Sequence, residues 1–75
     1  MKEFVEYIVK HLVDKPEEVK VNEVKGDRIT IYELRVGPGD MGKVIGKKGQ
    51  NAQAIRTLLN AASKGGKRSN LEILE

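Results

Sequence analysis

The sequence predicts a small α+β domain whose elements run in the order α-β-β-α-α-β. Three observations carry that expectation. Apolar residues recur at helical spacing over 2–14 and 51–63, and apolar and polar residues alternate over 18–36 and 68–74. Glycine clusters at 37–39, 46–49 and 65–66 punctuate the second half. Seventy-five residues allow one such domain with one compact core, because a chain of this size buries only about 60% of its unfolded surface.

Residues 2–14 read as the first helix. Phe4, Ile8 and Leu12 stack at i, i+4, i+8, and Val5, Val9 and Val13 form a parallel row. Together the rows cover about half the circumference, wider than a small sheet normally buries, so one flank is expected to meet a partner. His11 lies on the apolar side and reads as a packing residue. Pro16 is expected to end the helix, since the residue before proline is pushed out of the helical region.

Segments 18–25 and 28–36 read as a β-hairpin around Gly26-Asp27, the second strand rich in β-branched residues. Tyr32, Leu34 and Val36 share one face. Ile29 and Ile31 fall out of phase with them, which predicts a bulge or a partly covered outer face. Gly37-Pro38-Gly39 breaks the strand, and Asp40 is placed to cap a short helix over 41–46 through its carboxylate. Asn51–Ser63 forms the next helix, with Ala52, Ile55, Leu59 and Ala62 on its core stripe. Gly65-Gly66 suits the left-handed cap beyond it, and 68–74 returns as a strand with Leu71 and Ile73 on one side.

Charge is distributed unevenly. Residues 1–34 carry six Lys/Arg against eight Asp/Glu, and residues 35–75 carry eight against three. Between Gly42 and Arg68 there are seven basic residues and no acidic one. In a chain otherwise rich in glutamate, this marks a surface facing a polyanion. There is no cysteine and one histidine, which excludes a disulfide framework and leaves no set of metal ligands. An acidic residue within the first three positions and the lack of a long apolar run argue against a secretory signal or a membrane span, so a cytoplasmic protein is expected.

Three glycine patterns compete for the basic segment. Gly37-Pro38-Gly39-Asp40-Met41-Gly42 spells G-x-G-x-x-G, but no acidic strand end follows some 20 residues on and Pro38 lacks an amide that a pyrophosphate would need. Gly42–Lys48 has one residue too few between its glycines for a P-loop, and Lys48 stands where a hydroxyl must bind magnesium. Gly46-Lys47-Lys48-Gly49, preceded by the apolar pair Val44-Ile45, is different. Its glycines allow a tight turn with no Cβ holding a phosphodiester away, its amides point outward, and its two lysines sit at the tip.

The string from Asp40 to Arg56, DMGKVIGKKGQNAQAIR, closely resembles the signature of the KH RNA-binding domain: an apolar pair, G-x-x-G, then a branched apolar residue three places on. Here Ala52 stands at that last place, with Ile55 one turn later. The element order is similar to the type II, prokaryotic-style arrangement, which implies a single KH domain over 1–75, a three-stranded mixed sheet and helices packed on one face. The resemblance extends to the small stand-alone bacterial KH proteins of the KhpA family.

That resemblance implies single-stranded RNA as the ligand, with the G-x-x-G loop clamping about four backbone nucleotides. Gly46, Lys47, Lys48 and Gly49 map onto the clamp, and Val44 and Ile45 onto the helix before it. Ile55 is expected to pack beneath the loop. Arg56 faces either RNA or solvent, and Lys43 has the same two readings. Lys67 and Arg68, in the second basic cluster, are candidate peripheral RNA contacts. The family also implies an RNA chaperone acting in post-transcriptional control with a larger KhpB-like KH-containing partner, linked to cell-wall growth and cell length. KH domains can accept single-stranded DNA as well.

Phe4, Tyr7 and Tyr32 are the only aromatic residues, and none lies in the basic segment. Stacking platforms for bases are therefore lacking there, and a single copy should bind weakly. Ala54, Leu58 and Ala61 form a second apolar strip on helix 51–63; Leu58 either widens the core side or meets a second copy, giving a homodimer or a heterodimer that presents two loops to one RNA. No residues suggest an enzyme, a metal or a cofactor: Glu17 and Glu18 have no pocket, and Ser63 and Ser69 have no base nearby in sequence. The competing reading from another class is a KH-scaffold protein–protein adaptor that dimerises and has incidental nucleic-acid affinity.

Overall fold

The computed structural model describes residues 1–63 and 68–74. Helix α1 spans Lys2–Lys10, strand β1 Lys20–Lys25, strand β2 Ile29–Arg35, helix α2 Met41–Ile45, helix α3 Gln50–Ala62 and strand β3 Arg68–Leu74. The expected order α-β-β-α-α-β is the observed one. The strands form a mixed sheet in the order β1-β2-β3, with β1 antiparallel and β3 parallel to β2.

One apolar cluster joins the helices to one face of this sheet. Val5 and Val9 from α1, Val44 from α2, and Ile55 and Leu59 from α3 meet Val21, Tyr32, Leu34 and Leu71. Val5, Val9, Leu34, Val44 and Leu59 are wholly inaccessible to solvent. Side chains that alternate along a strand reach this cluster from every second position, so Thr30 and Ser69 are carried inward with their apolar neighbours. Ile55 is buried within this cluster.

Several boundaries differ from expectation, each for a physical reason. Helix α1 ends at Lys10, four residues early: His11 and Leu12 donate to the carbonyls of Ile8 and Val9, and the amides of Asp14 and Lys15 donate to the Asp40 carboxylate instead of continuing the helix. Pro16 therefore does not stop α1 but opens a 3-10 turn, Pro16–Glu18, a position where its missing amide is not needed. His11 is exposed rather than packed inside; Nδ1 donates to the Tyr7 carbonyl at 2.8 Å and the ring rests 4.5 Å from that of Tyr7. Leu12 and Val13 remain half-buried against the core.

The hairpin has no bulge. Its register runs unbroken from Lys20↔Arg35 to Lys25↔Thr30, and the turn closes with the Gly26 amide on the Ile29 carbonyl. Ile29, Ile31 and Val24 lie on the outer face of the sheet, Ile31 half-buried and the others exposed. Ala62 is also exposed rather than in the core stripe. Ser63 turns inward in its place, sharing a 2.5 Å hydrogen bond with the buried Ser69 hydroxyl. The proposed cap at Gly65-Gly66 lies outside the described residues.

Candidate nucleic-acid interface

The interface is built on α2 and the turn that follows it. Asp40 begins α2 but does not cap it with its side chain. Its carboxylate, 2% exposed, reaches back to the chain after α1, accepting the amides of Asp14 at 3.2 Å and Lys15 at 2.9 Å. Lys43 Nζ stands 3.9 Å from the same carboxylate. A buried charge is tolerable when hydrogen bonds and a counter-charge replace its water. The expected local cap is thus replaced by a long-range tie that anchors α2 to the α1–β1 connection.

Helix α2 leads into a turn whose backbone is sharply constrained. Gly46 has φ 75° and ψ 174°, a region open only to glycine, and a Cβ there would lie 2.7 Å from Asn51 Cγ. Lys47–Gly49 then forms a 3-10 turn in which Lys48 adopts φ 57° and Gly49 φ 74°. The amides of Lys47 and Lys48 open this turn, so neither has an acceptor within it. Both lysine side chains are exposed. The result is a tight turn with left-handed residues and two exposed cations, the kind of backbone arrangement that can take an anion.

The other residues singled out by sequence fall into three groups. Lys43 lies on α2 beside the turn, its ammonium ion-paired with Asp14; that hydrogen bond holds its pKa above the ordinary value against the opposing effect of desolvation, with lesser help from the charges of Asp14 and Asp40. Val44 is wholly buried and holds α2 to the core, whereas Ile45 beside it is 36% exposed. The apolar pair thus divides into an anchor and a surface contact.

Arg56 is half-buried, neither free in solvent nor fully enclosed. Its Nη2 donates to the Leu71 carbonyl at 3.1 Å, laying the guanidinium along the outer edge of β3. Asn60 continues this cover, accepting the Ser69 amide at 3.1 Å. These side chains occupy backbone groups on an edge strand that would otherwise be free to pair with another chain. Arg56 and the exposed Arg68 line one shallow groove with Ile29, Asn60, Ser69 and Asn70. Lys67 lies outside the described residues.

Leu58 is 47% exposed, with Ala54 and Ala61 exposed on the same helix; Leu58 does not widen the core side. A second, more apolar groove was not foreseen. It lies where the parallel strands β2 and β3 end and α2 begins, lined by Val36, Pro38, Met41 and Leu74 among others. Its residues are far apart in sequence, and only the strand pairing Arg35↔Leu74 brings them together. Among the described residues, no cluster of His, Asp or Glu is placed to hold a metal ion, and no helix is long and apolar enough to cross a membrane.

A three-stranded mixed sheet, helices on one face and a G-x-x-G turn between the last two helices define a KH domain. The chain belongs to the KhpA/KhpB KH-domain family, whose model matches residues 2–73. It is similar to "RNA-binding protein KhpA" of Chlamydia trachomatis, 58% identical with all of this chain and 97% of the relative covered. The protein of the same name from Clostridium perfringens is 59% identical over 99% of this chain and all of the relative. That from Borreliella burgdorferi is 55% identical over 97% and 90%. No solved structure gave a significant match.

Proposed function

We propose that this chain binds single-stranded RNA, with Gly46–Gly49 clamping the phosphodiester backbone. The observation that carries the reading is the turn itself: left-handed residues at 46, 48 and 49, with both lysines exposed inside a stretch free of acidic residues. The names of the relatives, RNA-binding protein KhpA, support the same ligand. Lys43 adds charge beside the turn, Ile45 offers an aliphatic surface to bases, and Val44 backs it from the core. Arg56 and Arg68, which share a groove, extend the basic track, with Lys67 alongside in sequence.

With Tyr32 buried and Phe4 and Tyr7 on α1, no aromatic residue is available to the turn, so affinity rests on phosphate contacts, main-chain donors and aliphatic packing. Pairing two copies through Ala54, Leu58 and Ala61, or pairing with a larger KhpB-like protein, offsets weak single-site binding. In this reading the chain is a non-catalytic, cytoplasmic RNA chaperone in post-transcriptional control tied to cell-wall growth and cell length. The exposure of Leu58 also favours a second reading, an adaptor that dimerises and touches nucleic acid only incidentally.

The test is titration of the protein into labelled single-stranded RNA at several salt concentrations. A clamp on phosphates loses affinity with a slope of about 0.7 log units per tenfold rise in salt for each phosphate neutralised. Binding that ignores salt, or no binding, overturns the reading.

A further inference from the structure

One side chain closes the junction between α2 and α3. Asn51, the second residue of α3, donates from Nδ2 to the Lys43 carbonyl at 2.9 Å. That carbonyl belongs to the last turn of α2, where no amide of its own helix follows, because the chain leaves the helix at Gly46. The same carboxamide packs on Gly46, within 2.7 Å of where a Cβ would stand, and the Asn51 backbone nitrogen lies 2.9 Å from that point. The last turn of α2, the first glycine of the loop and the first turn of α3 are therefore held by a single residue.

A carbonyl at an exposed helix end is readily satisfied by water, so the consequence of the bond is geometric. Lys48, two residues from Gly46, sits at φ 57°. A lysine in that region persists only where its surroundings enforce it. The surroundings here are the turn at Gly46 and the start of α3, the two segments that Asn51 joins.

We propose that Asn51 is a positioning residue for the 46–49 loop. Its carboxamide sets the angle at which α2 hands over to α3, and with it the left-handed conformation of Lys48 and the direction of the loop amides. Asn51 acts on RNA through the loop, so the consequence for binding rests on the reading of that loop as the RNA clamp. Neither the positive charge of the loop nor its glycines accounts for this role.

The experiment compares Asn51→Ala and the near-isosteric Asn51→Asp with wild type and with Gln53→Ala, an exposed change two residues further along α3. Two-dimensional amide spectra are recorded without RNA, and affinity for a short single-stranded RNA is measured at fixed salt. In both Asn51 variants the Gly46–Gly49 amide resonances should move, and the strong intraresidue amide–Hα contact produced by a positive φ at Lys48 should weaken. Affinity should fall by roughly two- to tenfold, the bias that one hydrogen bond can exert on a local equilibrium, while the protein stays folded. Gln53→Ala should show none of this. Unchanged loop resonances and an unchanged Lys48 contact in both Asn51 variants overturn the proposal, as does an affinity loss no larger than that of Gln53→Ala. Because the spectra are read without RNA, they judge Asn51 even if wild type binds no RNA, a result that would sink the clamp reading alone.

Discussion

The carboxylate of Asp40, at the start of α2, accepts the backbone amide of Lys15 at 2.9 Å from 25 residues away. With the Asp14 amide on its other oxygen, it fastens the chain leaving α1 to the helix that carries the loop. Replacing Asp40 with Ala should cost about 2–3 kcal/mol, since two hydrogen bonds to an ionised group are lost at a buried site. In a domain of this size that lowers the melting midpoint by roughly 10–20 °C. Circular dichroism on heating measures it, and a change of only a degree or two would show that the tie contributes nothing.

Lys47→Asp combined with Lys48→Asp should abolish binding to short RNA and leave the fold intact. Both side chains are exposed at a turn, where substitutions usually shift stability by less than about 0.5 kcal/mol. Two reversed charges oppose phosphate where it must approach. If the double variant binds like wild type at equal salt, the clamp lies elsewhere.

In the proposed interface, Asp14 would compete with phosphate for Lys43. Its carboxylate is 73% exposed and ion-paired with the lysine, so Asp14→Asn should release the ammonium to RNA. Affinity at low salt is expected to rise by about two- to fivefold, the range of an exposed ion pair, and the gain should fade as salt is added. Fluorescence anisotropy at two ionic strengths decides it. An unchanged affinity would remove Lys43 from the interface.

Leu58→Asp should give a folded monomer that binds long RNA less well but a tetranucleotide as before. The side chain is 47% exposed, so the change leaves the core alone, and only a partner surface would be disturbed. Light scattering of wild type at high concentration is the direct check: a monomer there ends the argument for pairing through α3.

The phenol of Tyr32 is held above its ordinary pKa, first by burial and then by the charge of Glu23 and the hydrogen bond to it. Folding favours the protonated form, so this contribution is complete below the ordinary value of 10.0 and is lost as pH rises through the higher folded value. Wild type should therefore lose stability above about pH 10 more steeply than Tyr32→Phe, with the two curves parallel below about pH 9. Urea midpoints across that range test it, and parallel curves throughout would discount the shift.

The order of elements, the core faces of α1 and β2, and the glycine–lysine turn were all legible from residue spacing. These features rest on local chemistry: helical and strand periodicity, the conformational reach of glycine, and a run of cations without acids. The out-of-phase isoleucines were legible too, resolved as an outer face with Thr30 turned inward in an unbroken register.

What the tertiary structure decided is where polar side chains find partners. Asp40 had the identity of a cap, yet its carboxylate binds amides 25 and 26 residues back, and α1 ends early as a result. Arg56 was placed by spacing on α3, but its partner is a carbonyl on β3. Asn51 stood in the sequence as one polar residue among several until its bond to Lys43 and its contact with Gly46 set it apart. Sequence periodicity records which face of an element is apolar, because burial depends on many neighbours at once. A single hydrogen bond depends on the placement of one donor against one acceptor, and only the packed chain brings those atoms within 3 Å of each other.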